Sequence, residues 1–350
     1  MRIVPAIRPI RSGKILDTNL INHMIQRTEY GADLLAQYKM LAGTNMFIEQ
    51  ASGGLSVSYL TALAGGAGTG SGGAGTGIGG EGTGTGGAGT GSGGSGTPEP
   101  VAPPYRIVGF YAIPGIYRGF LYNGSTFTDI FVPGSTQTQP LGIDGSNIVG
   151  LTIIGGVERG FLYNGSTFTD IFVPGGSFTI AFGIDGSNIV GSTVIGGVER
   201  GFLYNGSTFT DIFVPGGSFT IALGIDGSNI VGLTIIGGGF SRGFLYNGSI
   251  YTDIFVPGST STIAFGIDGS NIVGITTIGG VDSGFLYNGS TYTTFSVPSS
   301  TGTQAFGIDG SNIVGLAVIG GVVRGFLYNG STFTDIFVPG GTQTQARGIG

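Results

Sequence analysis

Five arginines recur at matched places along the chain, Arg118, Arg159, Arg200, Arg242 and Arg324, and five aspartates recur with them, Asp129, Asp170, Asp211, Asp253 and Asp335. An aspartate in an otherwise apolar strand needs a hydrogen-bonding partner. In the fifth copy Ser283 and Thr294 replace both residues. The joint loss points to an ion pair within or between structural repeats, with a ligand-facing polar pair as the alternative. The arginines, together with Glu158 and Glu199, are therefore the candidate ligand-binding residues. Glu158 and Asp170 also have the residue types of a hydrolytic carboxylate pair. Such a pair is expected to be singular and set in a cleft, whereas these residues recur, so no enzyme and no catalytic residue is expected. The Asp-Gly-Ser-Asn runs (144–147, 185–188, 226–229, 268–271, 309–312) offer oxygens to calcium. One carboxylate per loop is too few for a tight site, and the runs read as turns. The repeated Asn-Gly-Ser glycosylation pattern reads as a turn for the same reason of context. With no cysteine, and His23 as the only histidine, no thiolate chemistry, histidine triad or multi-histidine metal site is expected. No metal or cofactor is implied.

The elements that must hold these residues follow from a period. Gly-Phe-Leu-Tyr-Asn-Gly begins at Gly119, Gly160, Gly201, Gly243, Gly284 and Gly325, a spacing of 41 or 42 residues. Such a period with strand-like content marks propeller blades. In the second repeat Arg159–Tyr163 meets Thr167–Val173 across Asn164-Gly165, a type I′ hairpin signal. Ile180–Ile184 then turns at Asp185-Gly186 into the strand toward Ile195. Four strands per repeat make a blade. Side chains alternate between faces along a strand, yet both faces of Phe-Leu-Tyr and Asp-Ile-Phe-Val are apolar, as required of a sheet packed between two neighbours. Ile-Val-Gly at Ile107 starts just past an Asp-Gly turn, and Arg347-Gly-Ile-Gly350 stops just before one. The sequence therefore predicts an all-β head over 105–350, a six-bladed β-propeller with end-to-end strand closure and no edge left exposed.

The repeat wording resembles the HAF-type repeat of bacterial extracellular proteins. That resemblance implies an extracellular location and this fold. Residues 1–64 have a different character. An arm with Pro5, Pro9, Arg2, Arg8, Arg11 and Lys14 precedes a helix capped by Asp17 or Thr18 and running to about Leu41. Ile21, Met24, Thr28, Ala32, Leu35, Tyr38 and Ala42 fall near a/d spacing, which predicts a short coiled coil or an amphipathic helix on a partner. Met46–Glu49 and Leu55–Tyr59 flank Ser52-Gly53-Gly54, a hairpin signal. This order resembles the N-terminal anchor of bacteriophage fibre-type structural proteins. It implies a homotrimer docked on a virion protein through its N-terminus, with the four basic residues of the arm as the anchor. Residues 65–104 are glycine-rich, then proline-rich. They are not a collagen, since glycine does not fall at every third position. They read as a linker or as a multi-chain stalk.

The composition limits partners. A net charge of −6 argues against nucleic acid, which wants clustered Lys and Arg. No apolar run reaches the roughly 20 residues that span a bilayer, and no signal peptide is expected. Near-identical repeats favour several equivalent weak sites joined by avidity. Variable polar stretches such as Ser135–Gln139 and Gly341–Gln345 suit uncharged sugars. The expectation is a virion fibre or adhesin, on the virion surface, whose head binds host cell-surface glycans. The alternatives are a structural decoration fibre without a ligand and a bacterial extracellular matrix or adhesion protein.

Overall fold

The computed structural model describes residues 46–51, 54–59 and 105–350, apart from 115, 238 and 239. The predicted arm, helix, coiled coil and glycine-rich stalk, with Arg2, Arg8, Arg11 and Lys14, lie outside the described residues. The described residues fall in two compact units, Asn45–Ala102 and Pro103–Gly350. In the first, the predicted hairpin is present: Met46–Ala51 pairs antiparallel with Gly54–Tyr59, in register from Met46↔Tyr59 to Ala51↔Gly54.

The second unit is a six-bladed β-propeller of six four-stranded antiparallel sheets. Blade 3 shows the pattern. Its strands, from the axis outward, are Thr179–Asp185, Asn188–Ile195, Val198–Tyr204 and Phe209–Ile212. Blades 2 (137–171), 4 (217–254), 5 (261–295) and 6 (300–336) repeat it. Blade 1 is assembled from two parts of the chain. Its innermost strand is Gln343–Ile349, and Ile107–Ile113, Ile116–Tyr122 and Phe127–Ile130 complete it.

The expected end-to-end closure without an exposed edge is corrected by this topology. The strands form six separate open sheets, each ending on an outer four-residue strand with no further partner among the described residues. Ile107–Ile113, where the head begins, and Gln343–Ile349, where it ends, meet as neighbours within blade 1, in a velcro-type pairing from Gln343↔Ala112 to Ile349↔Ile107. A line of polar links on one end of the propeller is also open there. Asp144, Asp185, Asp226 and Asp268 each accept a hydrogen bond from the next blade's turn glycine, Gly186, Gly227, Gly269 and Gly310, at 2.7 Å. Blade 1 has no such turn, and Arg106 and Gly350 exchange main-chain hydrogen bonds instead. The sheets remain open because blades meet face to face, through side chains and not through a shared ladder.

Those faces hold the core. Val149, Ile171 and Val173 of blade 2 pack on Ala181, Ile184, Ile189 and Phe202 of blade 3, and the other junctions repeat this cluster. Each junction also carries one buried polar stitch. The main-chain N–H of Val132, Val173, Val214, Val256, Val297 or Val338 donates to a threonine hydroxyl at the start of the next blade, at 2.9–3.1 Å.

Two glycine positions are set by close approach. A methyl group on the glycine of Ile-Val-Gly would lie about 2 Å from the opposing carbonyl oxygen, as at Gly191 against Ile180 (1.9 Å). Nearer the axis, Gly142, Gly183, Gly224, Gly266, Gly307 and Gly348 touch one another from blade to blade. Beside each the strand bulges by one residue, which turns Leu141, Phe182, Leu223, Phe265, Phe306 and Arg347 toward an axial cavity of about 80 Å³.

Candidate functional site

The repeated arginines and aspartates meet within blades. Arg118 and Asp129 are 3.0 Å apart, Arg200 and Asp211 3.0 Å, Arg242 and Asp253 2.9 Å, and Arg159–Asp170 and Arg324–Asp335 pair in the same way. The arginine sits near the start of the third strand and the aspartate on the outer strand, where pairing such as Phe202↔Asp211 brings them side by side. Each guanidinium also lies over the ring of a phenylalanine just past the outer strand: Phe131, Phe172, Phe213, Phe255 or Phe337, 4.2–4.8 Å from the ring centroid. The unit is thus a triad of Arg, Asp and Phe. Arginine side chains are 29–36% exposed and aspartates 49–55%, so solvent screens the pair, whose net worth is about 0.5–1 kcal/mol. Donating hydrogen bonds to the Asp335 carboxylate raises the Arg324 guanidinium above its usual value, and it stays charged. In blade 1 Tyr111 adds a hydrogen bond to Asp129 at 2.9 Å. Burial, then that contact, pushes the phenol up.

Blade 5 shows what the triad is. Ser283, Thr294 and Ser296 take the places of Arg, Asp and Phe, and the Ser296 hydroxyl donates to that of Ser283 at 3.3 Å. Sequence reasoning found the two charges and missed the phenylalanine. The signal was available, because position 296 changes together with 283 and 294.

The two candidate glutamates are placed differently. Glu199 is buried and accepts a hydrogen bond from Ser192 at 2.9 Å, and Glu158 is half-buried. They alternate with the arginines along the strand and so face the opposite side of the sheet. The equivalent residue in blade 5, Asp282, is also buried and accepts from Thr277 at 2.7 Å. The structure does not bring Glu158 or Glu199 to the triad's surface.

The Asn-Gly segments are also resolved. Strands pair up to Tyr204↔Phe209, leaving a four-residue loop, Asn205–Thr208, instead of a two-residue type I′ turn. Only the glycine takes a positive φ (Gly206, 92°). The asparagine carboxamide oxygen accepts from the main-chain N–H groups of Ser207 and Thr208 at 3.1 and 2.9 Å. Among the described residues no group of acidic, histidine or cysteine side chains has the arrangement of a metal site. No described helix is long and apolar enough to cross a membrane.

No family model matches the chain, and no curated protein matches it. Solved structures resemble it in fold. The fungal lectin from Aleuria aurantia, described as a six-bladed β-propeller with a novel fucose recognition mode, has a TM-score of 0.47 at 17% identity. That match covers 68% of this chain and 92% of the lectin. The propeller domain of the trilobed protease from Pyrococcus furiosus, described as having an open velcro topology, has a TM-score of 0.43 at 12% identity, covering 63% and 75%. An acylaminoacyl peptidase from Pyrococcus horikoshii has a TM-score of 0.42 at 10% identity. The match takes in 67% of this chain but only 44% of the peptidase. At these similarities the likenesses do not bear on function.

Proposed function

We propose that residues 105–350 are a multivalent, non-catalytic binding head of an extracellular adhesion protein, and that its sites are the Arg–Asp–Phe triads. The observation that carries this is their repetition. Five half-exposed donor–acceptor pairs, each beside an aromatic ring, stand at equivalent places, and blade 5 alone among the six lacks the whole unit. Vicinal hydroxyls of a neutral sugar match such a pair, one hydroxyl accepting from the guanidinium and its neighbour donating to the carboxylate. Each contact is shallow and weak, and several acting together supply avidity. A virion fibre is the carrier that the N-terminal sequence suggests, and it rests on that sequence alone.

The test is binding of the full chain to a glycan array and to whole bacterial cells. Saturable binding competed by one sugar class, and lost when Arg159 and Arg200 are both changed to Ala, is the expected result. Absence of binding, even with the chain clustered on beads, overturns the reading in favour of a structural fibre.

A further inference from the structure

Asn-Gly occurs six times, at Asn123, Asn164, Asn205, Asn247, Asn288 and Asn329, and every one of these asparagines is exposed. The pair is open to attack on the carboxamide carbon by the following main-chain nitrogen, because glycine brings no side chain between them. By sequence the six sites are equal, and the loops make them unequal. In blades 1, 2, 3, 5 and 6 the carboxamide oxygen accepts four hydrogen bonds. They come from the main-chain N–H and the hydroxyl of the serine and the threonine that follow. At Asn205 these are Ser207, at 3.1 and 3.0 Å, and Thr208, at 2.9 and 3.2 Å. In blade 4 an isoleucine, Ile250, stands at the threonine position. Asn247 has two donors among the described residues, the N–H groups of Ser249 and Ile250, at 3.1 and 2.9 Å. The rest of that loop follows its copies. The Asn247 N–H donates to the Ile250 carbonyl at 3.2 Å, the Tyr246 hydroxyl donates to the Gly248 carbonyl at 2.8 Å, and Gly248 has a φ of 90°.

We propose that Asn247 is a site of spontaneous modification, the first of the six to lose its amide. The Gly248 nitrogen gives its proton to hydroxide and bonds to Asn247 Cγ. The Cγ–Nδ2 bond breaks, ammonia leaves with a proton from water, and a cyclic imide remains. Water then opens the imide at either carbonyl. The product is aspartate, or isoaspartate, in which the main chain runs through the side-chain carbon. Ring closure turns the carboxamide until its carbon faces the Gly248 nitrogen, and each donor on its oxygen opposes that turn. Two exposed hydrogen bonds fewer, at the low end of their usual worth, correspond to about fivefold in rate. The reaction places a negative charge in the loop between the strands that carry Arg242 and Asp253.

The full chain is aged in mildly alkaline buffer and digested, and the acid formed at each loop is located by mass spectrometry. The expected result is conversion about fivefold faster at Asn247 than at its copies, with isoaspartate there detected by enzymatic methyl transfer. Ile250→Thr, a change at a side chain 63% exposed, returns Asn247 to the slow rate. Thr208→Val raises Asn205 toward the fast one, and neither variant moves the melting temperature. In chain unfolded by denaturant the six rates converge. Equal rates in the folded chain overturn the proposal, and so does a fast Asn247 that persists in Ile250→Thr. An Asn247 slower than its copies also overturns it, and would mean that four donors act as an oxyanion hole that speeds ring closure.

Discussion

At the residue scale, stability is most sensitive where backbones touch. A methyl group on Gly232 would lie 2.0 Å from the Ile221 carbonyl oxygen and 2.9 Å from the Phe244 ring. Neither neighbour can retreat, since one is a ladder strand and the other fills an inter-blade cluster. Gly232→Ala is expected to cost about 3 kcal/mol, the upper part of the range for overpacking, read as a lower denaturation midpoint at unchanged slope. Thr220→Val removes the acceptor of the buried Val214 N–H while keeping the side-chain volume. Leaving that group without a partner costs about 1–3 kcal/mol, measured the same way. The sequence made the charged pair legible, because Arg and Asp disappear together at 283 and 294. The threonine stitches were not legible. A threonine inside a strand carries no mark of which main-chain N–H it will face across a junction.

At the scale of the element, blade 5 is a natural triple substitution. Restoring the triad with Ser283→Arg, Thr294→Asp and Ser296→Phe should shift stability by no more than about 1 kcal/mol, because the pair and the cation–π contact are both solvent-screened. Ser283→Arg alone lacks both partners and gains nothing. Calorimetric melting checks the first outcome. Titration against the sugar found on the array checks a second, a rise from five to six sites per chain. The four-strand blade was readable from spacing and turn chemistry, but its outer strand was not. The sequence predicts Thr167–Val173, whereas the strand is Phe168–Ile171. The loss at the front comes from Asn164, whose side chain takes the N–H groups of Ser166 and Thr167 at 3.0 and 2.8 Å and so removes Thr167 from the strand. At the rear, Val173 leaves the ladder because its N–H turns to Thr179 of the next blade.

At the scale of the whole molecule, the axis joins six near-copies and one residue breaks their pattern. Five of the residues facing the axial cavity are Leu or Phe, and the sixth is Arg347. Its guanidinium lies 3.9 Å from the Phe306 ring centroid and 5.3 Å from that of Phe110, and donates to Gln345 Oε1 at 2.7 Å. Burial pushes it down to about 9. A base whose folded-state value is depressed binds its proton less readily when folded, so the penalty is present in full below pH 9 and fades as pH rises toward the unfolded value. Replacing a buried cation by an apolar side chain of fitting volume is often stabilising by about 1–4 kcal/mol, and Leu141 and Leu223 show that leucine fits this ring. Arg347→Leu should therefore raise the melting temperature by a constant amount from pH 6 to 8.5, with the advantage narrowing above pH 9. Thermal melts across that range decide the matter. A lower melting temperature for the variant at pH 7 would mean that ring stacking and the hydrogen bond to Gln345 outweigh desolvation, making Arg347 a pin between the innermost strands of blades 6 and 1.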